Sequence, residues 1–369
     1  MIVLVNALAT TNPSGRHVVL GMLSQLARWT RDSHRFVVLC HAGNAGALVR
    51  DLGPNVVWRR APSIGRHWTG RWAWERVFLP SIVRHERADW LFSMSGAATP
   101  GCRTRQAAMA MNPWCLVTDV HRTPADRAKA ALQRRAYRDA VRRCDAMVYL
   151  SAYLRDAYET NAGRPSRQAL VVHAGIGGDI EQHWPEPLPL EARTPGSIVC
   201  VSVMAPHKGI DVLLRAVSAL PDAHLTLAGP WPDGRYRTRM DDLIRRSNLT
   251  DRVTVTGFLD RAALLHLCAR ARVFSLLSRC ESFGIPGIEA QALGTPVVSS
   301  DRGAMPEVYG DGGIFVDADD ATGAARALAR LLHDDRDWTR FSRAARLNAS
   351  HFTFEQTSRP LLQLFSKEE

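Results

Sequence analysis

Short, continuous apolar runs alternate with longer helical patterns along the whole chain. This alternation confines the fold to parallel sheets covered by helices on both faces. In the first half the runs are 2–5, 36–40, 145–150 and 169–172. In the second half they are 197–203, 223–228, 252–256, 272–277, 296–299 and 313–316. Helical patterns stand between them, for instance at 18–29 and 125–143, then at about 209–219, 235–247, 260–270, 286–293 and 320–333. The pattern starts afresh after 184–196, WPEPLPLEARTPG, whose four prolines lack a backbone donor and disfavour helix before them. A chain of 369 residues has room for two domains. The expected architecture is α/β: two doubly wound domains, over 1–185 and 197–351, joined by a linker at 186–196 and separated by a cleft. A last helix, at about 352–369, is expected to pack back onto the first domain.

No stretch approaches about 18 consecutive apolar residues, so no membrane-spanning helix is expected. The opening MIVLVNALATTNPSGR has no basic leader, and Asn6 interrupts its apolar run; it reads as a buried strand, not a signal peptide. Seven cysteines without C-x-x-C spacing argue against a zinc site or a disulfide framework and for a reducing cytoplasm. The charge is uneven. Residues 1–190 hold 25 Lys and Arg against 14 Asp and Glu, while 191–369 hold 22 of each. The whole excess of +11 therefore lies in the first half, pointing to an anionic partner there unless the chain simply favours arginine.

In open parallel sheets ligands bind beyond the carboxyl ends of the strands. The densest signal there is 278–300, SRCESFGIPGIEAQALGTPVVSS. A strand ending near Leu277 is followed by Glu281, then SFGIPG, then a helix carrying Glu289. Pro286 suits the first helical turn, and the N–H groups of Phe283, Gly284 and Ile285 are expected at the positive end of the helix dipole. Gly284, without a Cβ, would let a ligand approach the backbone. Such a start suits an anion or hydroxyl. The Glu289 carboxylate, about one turn in, can accept from two vicinal hydroxyls, and Glu281 stands at the mouth. Carboxylates flanking amide donors suit a polyhydroxylated, phosphate-bearing molecule such as a nucleotide sugar.

Glu281 and Glu289, set eight apart around F-G-x-P and followed by A-x-G-T-P-V-V, resemble the signature of retaining glycosyltransferases of family four. Supporting segments follow the family's order: VSVMAPHKGIDVLLRA (201–216), Ala228-Gly229-Pro230, TGFL (256–259) and RGAMPEVYGDGGIFVD (302–317). The resemblance implies the GT-B fold, two facing Rossmann-like domains with the nucleotide-sugar donor in the C-terminal one. It also implies Lys208 on the donor diphosphate, Glu281 on the donor sugar with the amides of 283–285, Glu289 on the ribose, Gly229 in the turn after the next strand, and Leu259 lining the base pocket. The chain departs from the family where an arginine usually precedes the lysine by five or six residues; Val203 and Ser202 stand there. His207 or a distant arginine is expected to replace it.

In the first half, Ser14, Gly15 and Arg16 follow the first strand, where related enzymes have a glycine-rich loop over the donor phosphates. Gly15 could supply close approach or only a helix cap. Within 107–121, AAMAMNPWCLVTDVH, an apolar run ends at Asn112-Pro113-Trp114, with Asp119 and His121 shortly after, where the family often places a His or Asp near the acceptor hydroxyl. The competing reading is a helix cap and a surface histidine. Two basic stretches flank them. RRAPSIGRHWTGRWAWER (59–76) has five Arg and three Trp; HRTPADRAKAALQRRAYRDAVRR (121–143) is rich in Arg and Lys. Trp and Arg together suit an anionic bilayer surface, unless the tryptophans fill the core and the helix is merely solvated. No nucleic-acid reader motif accompanies the charge.

The expected function is transfer of a hexose, mannose ahead of others, from a GDP- or UDP-sugar to a glycan or polyprenyl-diphosphate-linked acceptor. The enzyme would be cytoplasmic and peripheral on the inner membrane. No metal or other cofactor is expected, with Lys208 carrying the electrostatic task. A nucleotide-sugar epimerase or hydrolase, or a non-catalytic nucleotide-sugar-binding subunit, would share the same pocket.

Overall fold

The computed structural model describes residues 1–62, 68–121, 123–183 and 186–366. The chain forms two compact units, Met1–Gly175 with Phe354–Glu369, and Ile176–Thr353.

Unit 1 is built on β1 (Ile2–Asn6), β2 (Arg35–His41), β3 (Val56–Ala61), β4 (Trp90–Ser93), β5 (Arg105–Ala110), β6 (Ala146–Tyr149) and β7 (Ala169–Val171). They form one parallel sheet in the order β3-β2-β1-β4-β5-β6-β7. β4 and β6 are buried along their whole length, as strands covered on both faces must be. β3 and β4 stand outside the runs read from the sequence. β4 is only four residues long, and β3 is an edge strand whose Arg59 and Arg60 face solvent.

Unit 2 contains β8 (Ser197–Val201), β9 (His224–Ala228), β10 (Val253–Gly257), β11 (Val273–Leu276), β12 (Val297–Ser300) and β13 (Gly313–Val316). The sheet is parallel, ordered β10-β9-β8-β11-β12-β13. Counted from its own first strand, each sheet repeats the 3-2-1-4-5-6 order of the Rossmann fold, in which the order reverses beside the first strand. The loops leaving the two strands at that switch point diverge and open a crevice at their carboxyl ends. In unit 2 those strands are β8 and β11.

Two boundaries differ from the sequence expectation. The first unit ends at Gly175, ahead of the proline-rich stretch expected to link the domains. That stretch belongs to unit 2 because Arg193, 2% exposed, is bolted into it: its guanidinium donates to the carbonyls of Ala271 (2.9 Å) and Leu293 (2.8 Å) and to Thr295 Oγ1 (2.6 Å). Trp184 and Pro185 lie outside the described residues. The terminal segment is two short helices, Phe354–Thr357 and Arg359–Ser366, where one was expected. Pro360, whose ring fixes φ and removes an N–H, suits the first turn of the second helix and cannot continue the first. Phe365 packs edge-on against Trp90 and Phe92 in unit 1.

Candidate functional site

The switch point of unit 2 carries an ion pair. Lys208 closes a short 3-10 turn, Pro206–Lys208, after β8, and Glu281 follows β11. Lys208 Nζ donates to Glu281 Oε2, with 14% and 16% of the two side chains exposed. The next residue dictates this closeness. Gly209 has φ +67°, and a Cβ there would lie 2.0 Å from the Leu277 carbonyl oxygen. Only glycine lets the β8 loop lie against the end of β11. The loop is also tied down by Arg279 N–H to the His207 carbonyl (2.7 Å) and by Arg279 Nη1 to the Pro206 carbonyl (3.0 Å). Burial would raise the Glu281 pKa, but the charge and hydrogen bond of Lys208, with the Ser282 N–H and the charge of His207, outweigh it and hold the carboxyl below its ordinary range.

Beyond Glu281 the helix Ile285–Ala292 begins at Gly284, and no side chain caps it. Pro286 sits in its first turn, as expected. Phe283 is buried with its ring edge-on to Phe352, 5.7 Å away. The reason for Gly284 differs from the one read in the sequence. Its φ is +81°, and a Cβ would lie 2.2 Å from the Tyr309 hydroxyl, which donates to the Gly284 carbonyl at 2.9 Å. The space a Cβ would need is filled by Tyr309, so the glycine is required by the turn and its packing.

Glu289, its side chain 6% exposed, is held by a residue that sequence reasoning missed. Arg261, the first residue of the helix Arg261–Arg270, donates from Nη1 to Glu289 Oε1 at 2.6 Å. Its Nε and Nη2 donate to the two oxygens of Asp179, at 2.8 and 3.3 Å. Burial works against the charge of Arg261, but the bonds and charges of the two carboxylates outweigh it and raise its pKa. Val203, where the family's arginine would stand, is an exposed apolar side chain.

The other expected residues are placed as follows. Gly229 lies directly after β9 and Leu259, half-buried, shortly after β10, both at carboxyl ends of strands. The Gly15 N–H donates to Asn12 Oδ1 at 2.6 Å, so it serves the cap of the helix Pro13–Trp29. Asp119 is exposed and accepts from Thr118 Oγ1 at 3.2 Å. His121 is buried, its Nε2 2.9 Å from the Trp114 carbonyl and its ring 4.6 Å from the Trp114 ring. With Nε2–H on that carbonyl, Nδ1 remains as an acceptor. At the switch point of unit 1, Asn6 Nδ2 at the end of β1 donates to Glu75 Oε1 at 3.1 Å. Burial raises the Glu75 pKa, against the pull of Asn6 and Arg71.

Parts of the basic stretches do structural work. Arg134 donates to the Cys115 carbonyl, and Arg138 and Arg142 donate to the carbonyls of Asn161 and Ala162 at a helix end. Residues 63–67 and Arg122, within those stretches, lie outside the described residues, as does the Trp68 side chain. Trp74 is core, but Trp72 (49% exposed), Val77 and Phe78 are open on the helix Trp68–His85, with Arg76 stacked 4.1 Å over Trp72. No helix among the described residues is long and apolar enough to cross a membrane.

Two parallel Rossmann-order sheets define the GT-B class. The solved structure of a sucrose-phosphate synthase from Thermosynechococcus elongatus superposes with a TM-score of 0.78 at 19% identity, over 99% of this chain and 98% of that one. The Anabaena protein HepE in complex with UDP and glucose gives 0.74 at 19% identity, over 100% and 99%. Residues 189–348, within unit 2, match the family model described as glycosyl transferases group 1. A D-inositol 3-phosphate glycosyltransferase of Mycolicibacterium smegmatis is 34% identical over 175 residues, 46% of this chain. The chain spans 40% of that relative's length.

Proposed function

We propose that the protein is a retaining glycosyltransferase of family four that moves a hexose from a nucleotide sugar to a hydroxyl of a lipid-linked or polysaccharide acceptor at the inner membrane face. The observation that carries this reading is the Lys208–Glu281 pair across the switch point of unit 2, followed by the uncapped helix start that leads to Glu289. When the bond between the sugar's anomeric carbon and the diphosphate breaks, negative charge grows on the phosphate oxygens. Lys208 and the positive end of the helix Ile285–Ala292 are the proposed groups that stabilise it. Glu281, freed from Lys208 by the donor, faces the sugar, whose carbon acquires oxocarbenium character. The acceptor oxygen bonds to that carbon on the face the diphosphate leaves, and its proton passes to the departing phosphate oxygen. Lys208 would do the work of a metal. His121 Nδ1 and Asp119 are the proposed neighbours of the acceptor, and Gly229 and Leu259 those of the donor.

A donor panel tests this. GDP- and UDP-sugars, mannose and glucose donors first, are screened by thermal shift, since a ligand at a hundred times its Kd stabilises by about 2.7 kcal/mol. One donor class is expected to raise Tm by several degrees and to support transfer in EDTA. No shift with any donor would overturn the reading, and rapid donor turnover without acceptor would favour a hydrolase.

For the membrane, the helix Trp68–His85 is the proposed contact, with Trp72 and Val77 entering the interface and Arg76 and Arg84 meeting anionic headgroups. Replacing Trp72 and Val77 with serine and Arg76 and Arg84 with glutamate is expected to cut sedimentation with anionic vesicles at least about tenfold, as each basic residue near the surface is worth about 1 kcal/mol. Unchanged binding would remove this surface from the proposal.

A further inference from the structure

We propose that Asp179, Arg261 and Glu289 form a positioning relay that presents the Glu289 carboxylate to the ribose of the donor; this rests on the nucleotide-sugar reading of the site. The geometry is directional. Arg261 spends two nitrogens on Asp179, at 2.8 and 3.3 Å, in the two-pronged arrangement that fixes the plane of a guanidinium. The fixed plane then aims Nη1 at one oxygen of Glu289, Oε1, at 2.6 Å. Among the described residues no hydrogen bond is made to Oε2. A carboxylate held by one oxygen and open at the other is set to accept a vicinal hydroxyl pair.

The charges agree with this task. Arg261 is shared between the two carboxylates, so Glu289 is not sealed in a closed one-to-one pair. The Arg261 side chain remains 39% exposed. A purely architectural bridge would gain most from engaging both oxygens of Glu289. The three residues come from the helices Gly178–His183, Arg261–Arg270 and Ile285–Ala292, so the relay fastens the ribose contact to three separate segments of unit 2.

The test compares the affinities of UDP and GDP with those of their 2′,3′-dideoxy counterparts by calorimetry. The wild type should prefer the ribose form, and Glu289→Ala should abolish the preference. Arg261→Gln should shrink it about tenfold while changing dideoxy binding little, the loss expected when a hydrogen bond to a charged group is misplaced. Arg261→Lys should restore part of it. Asp179→Asn, which leaves the Arg261–Glu289 contact in place, should shift the preference in the same direction and serves if Arg261→Gln does not fold. Equal weakening of ribose and dideoxy forms in Arg261→Gln, or an unchanged preference, would overturn the relay. A preference that survives Glu289→Ala would move the ribose away from Glu289 and take the relay with it. Failure of UDP and GDP alike to bind the wild type would overturn the underlying donor assignment as well.

Discussion

Replacing Lys208 with methionine is expected to lower kcat by about a hundredfold to a thousandfold, the cost of removing one preorganised charge from a developing anion. Methionine keeps the length of the apolar stem and removes the ammonium, leaving the loop fastened by Gly209 and by the bonds to Arg279. Glu281→Gln should fall in the same range, and the double variant should lose far less than the product of the two, because both act on the same leaving diphosphate. Single-turnover transfer measured at saturating donor separates this from weakened binding. Activity within about threefold of wild type in either single variant would remove the pair from the reaction. Stability supplies a second readout. With its pKa held low, Glu281 contributes stability above the ordinary glutamate range of about 4.3, and loses it as pH falls through the depressed value. Without Lys208 burial, which raises the pKa, is opposed only by the Ser282 N–H and the charge of His207, so the depression and the stability it confers are smaller. The stability advantage of wild type over Lys208→Met should therefore shrink as the solution is acidified from pH 7 to pH 3, as followed by urea unfolding. A constant difference would place Glu281 outside the ion pair in solution.

How much of this was legible in the sequence depends on how far apart the interacting residues lie. Lys208 and Glu281 each lie in the loop that leaves an apolar strand, so an alternation read by eye already places both at carboxyl ends. Their contact needed only the strand order, which brings β8 beside β11. Glu289 was legible as a helix residue, but its partners were not. Arg261 and Asp179 lie 28 and 110 residues before it in the chain, and no helical or strand period connects them. Gly284 was recognisable as a required glycine, whereas the reason for it, the Tyr309 hydroxyl, arrives from a later helix. The arginines on the helix Pro124–Arg143 looked like a uniform basic face. Several of them donate to carbonyls on neighbouring segments, and a charge count cannot separate a headgroup ligand from a carbonyl cap. Glu75 was invisible for the same reason as Arg261: its partner Asn6 is on the first strand.

Arg193 shows the same limit and leads to the largest expected loss of stability. Within a proline-rich stretch it reads as a solvated linker residue, yet it is 2% exposed and donates to the carbonyls of Leu188, Ala271 and Leu293 and to Thr295 Oγ1. Its face packs 4.9 Å from the Trp338 ring. Among the described residues it makes no salt bridge to a carboxylate. Burial, and less so the charge of Arg272, pulls its pKa down to about 10, so it is still cationic at neutral pH and keeps every donor. Arg193→Ala would leave those buried acceptors unpaired and open a cavity beneath Trp338. Each unsatisfied group costs about 1–3 kcal/mol, and partial relaxation brings the expected total to roughly 3–5 kcal/mol. At about 2–4 °C per kcal/mol for a unit of this size, Tm should fall by roughly 6–20 °C. The loss should also reach the site, because Leu293 and Thr295 flank the end of the helix that carries Glu289. Donor-induced stabilisation should therefore shrink in Arg193→Ala even at temperatures where the variant remains folded. Calorimetric unfolding with and without donor reads both effects, and a Tm within about 2 °C of wild type would mean that the proline-rich segment is not anchored through Arg193 in solution.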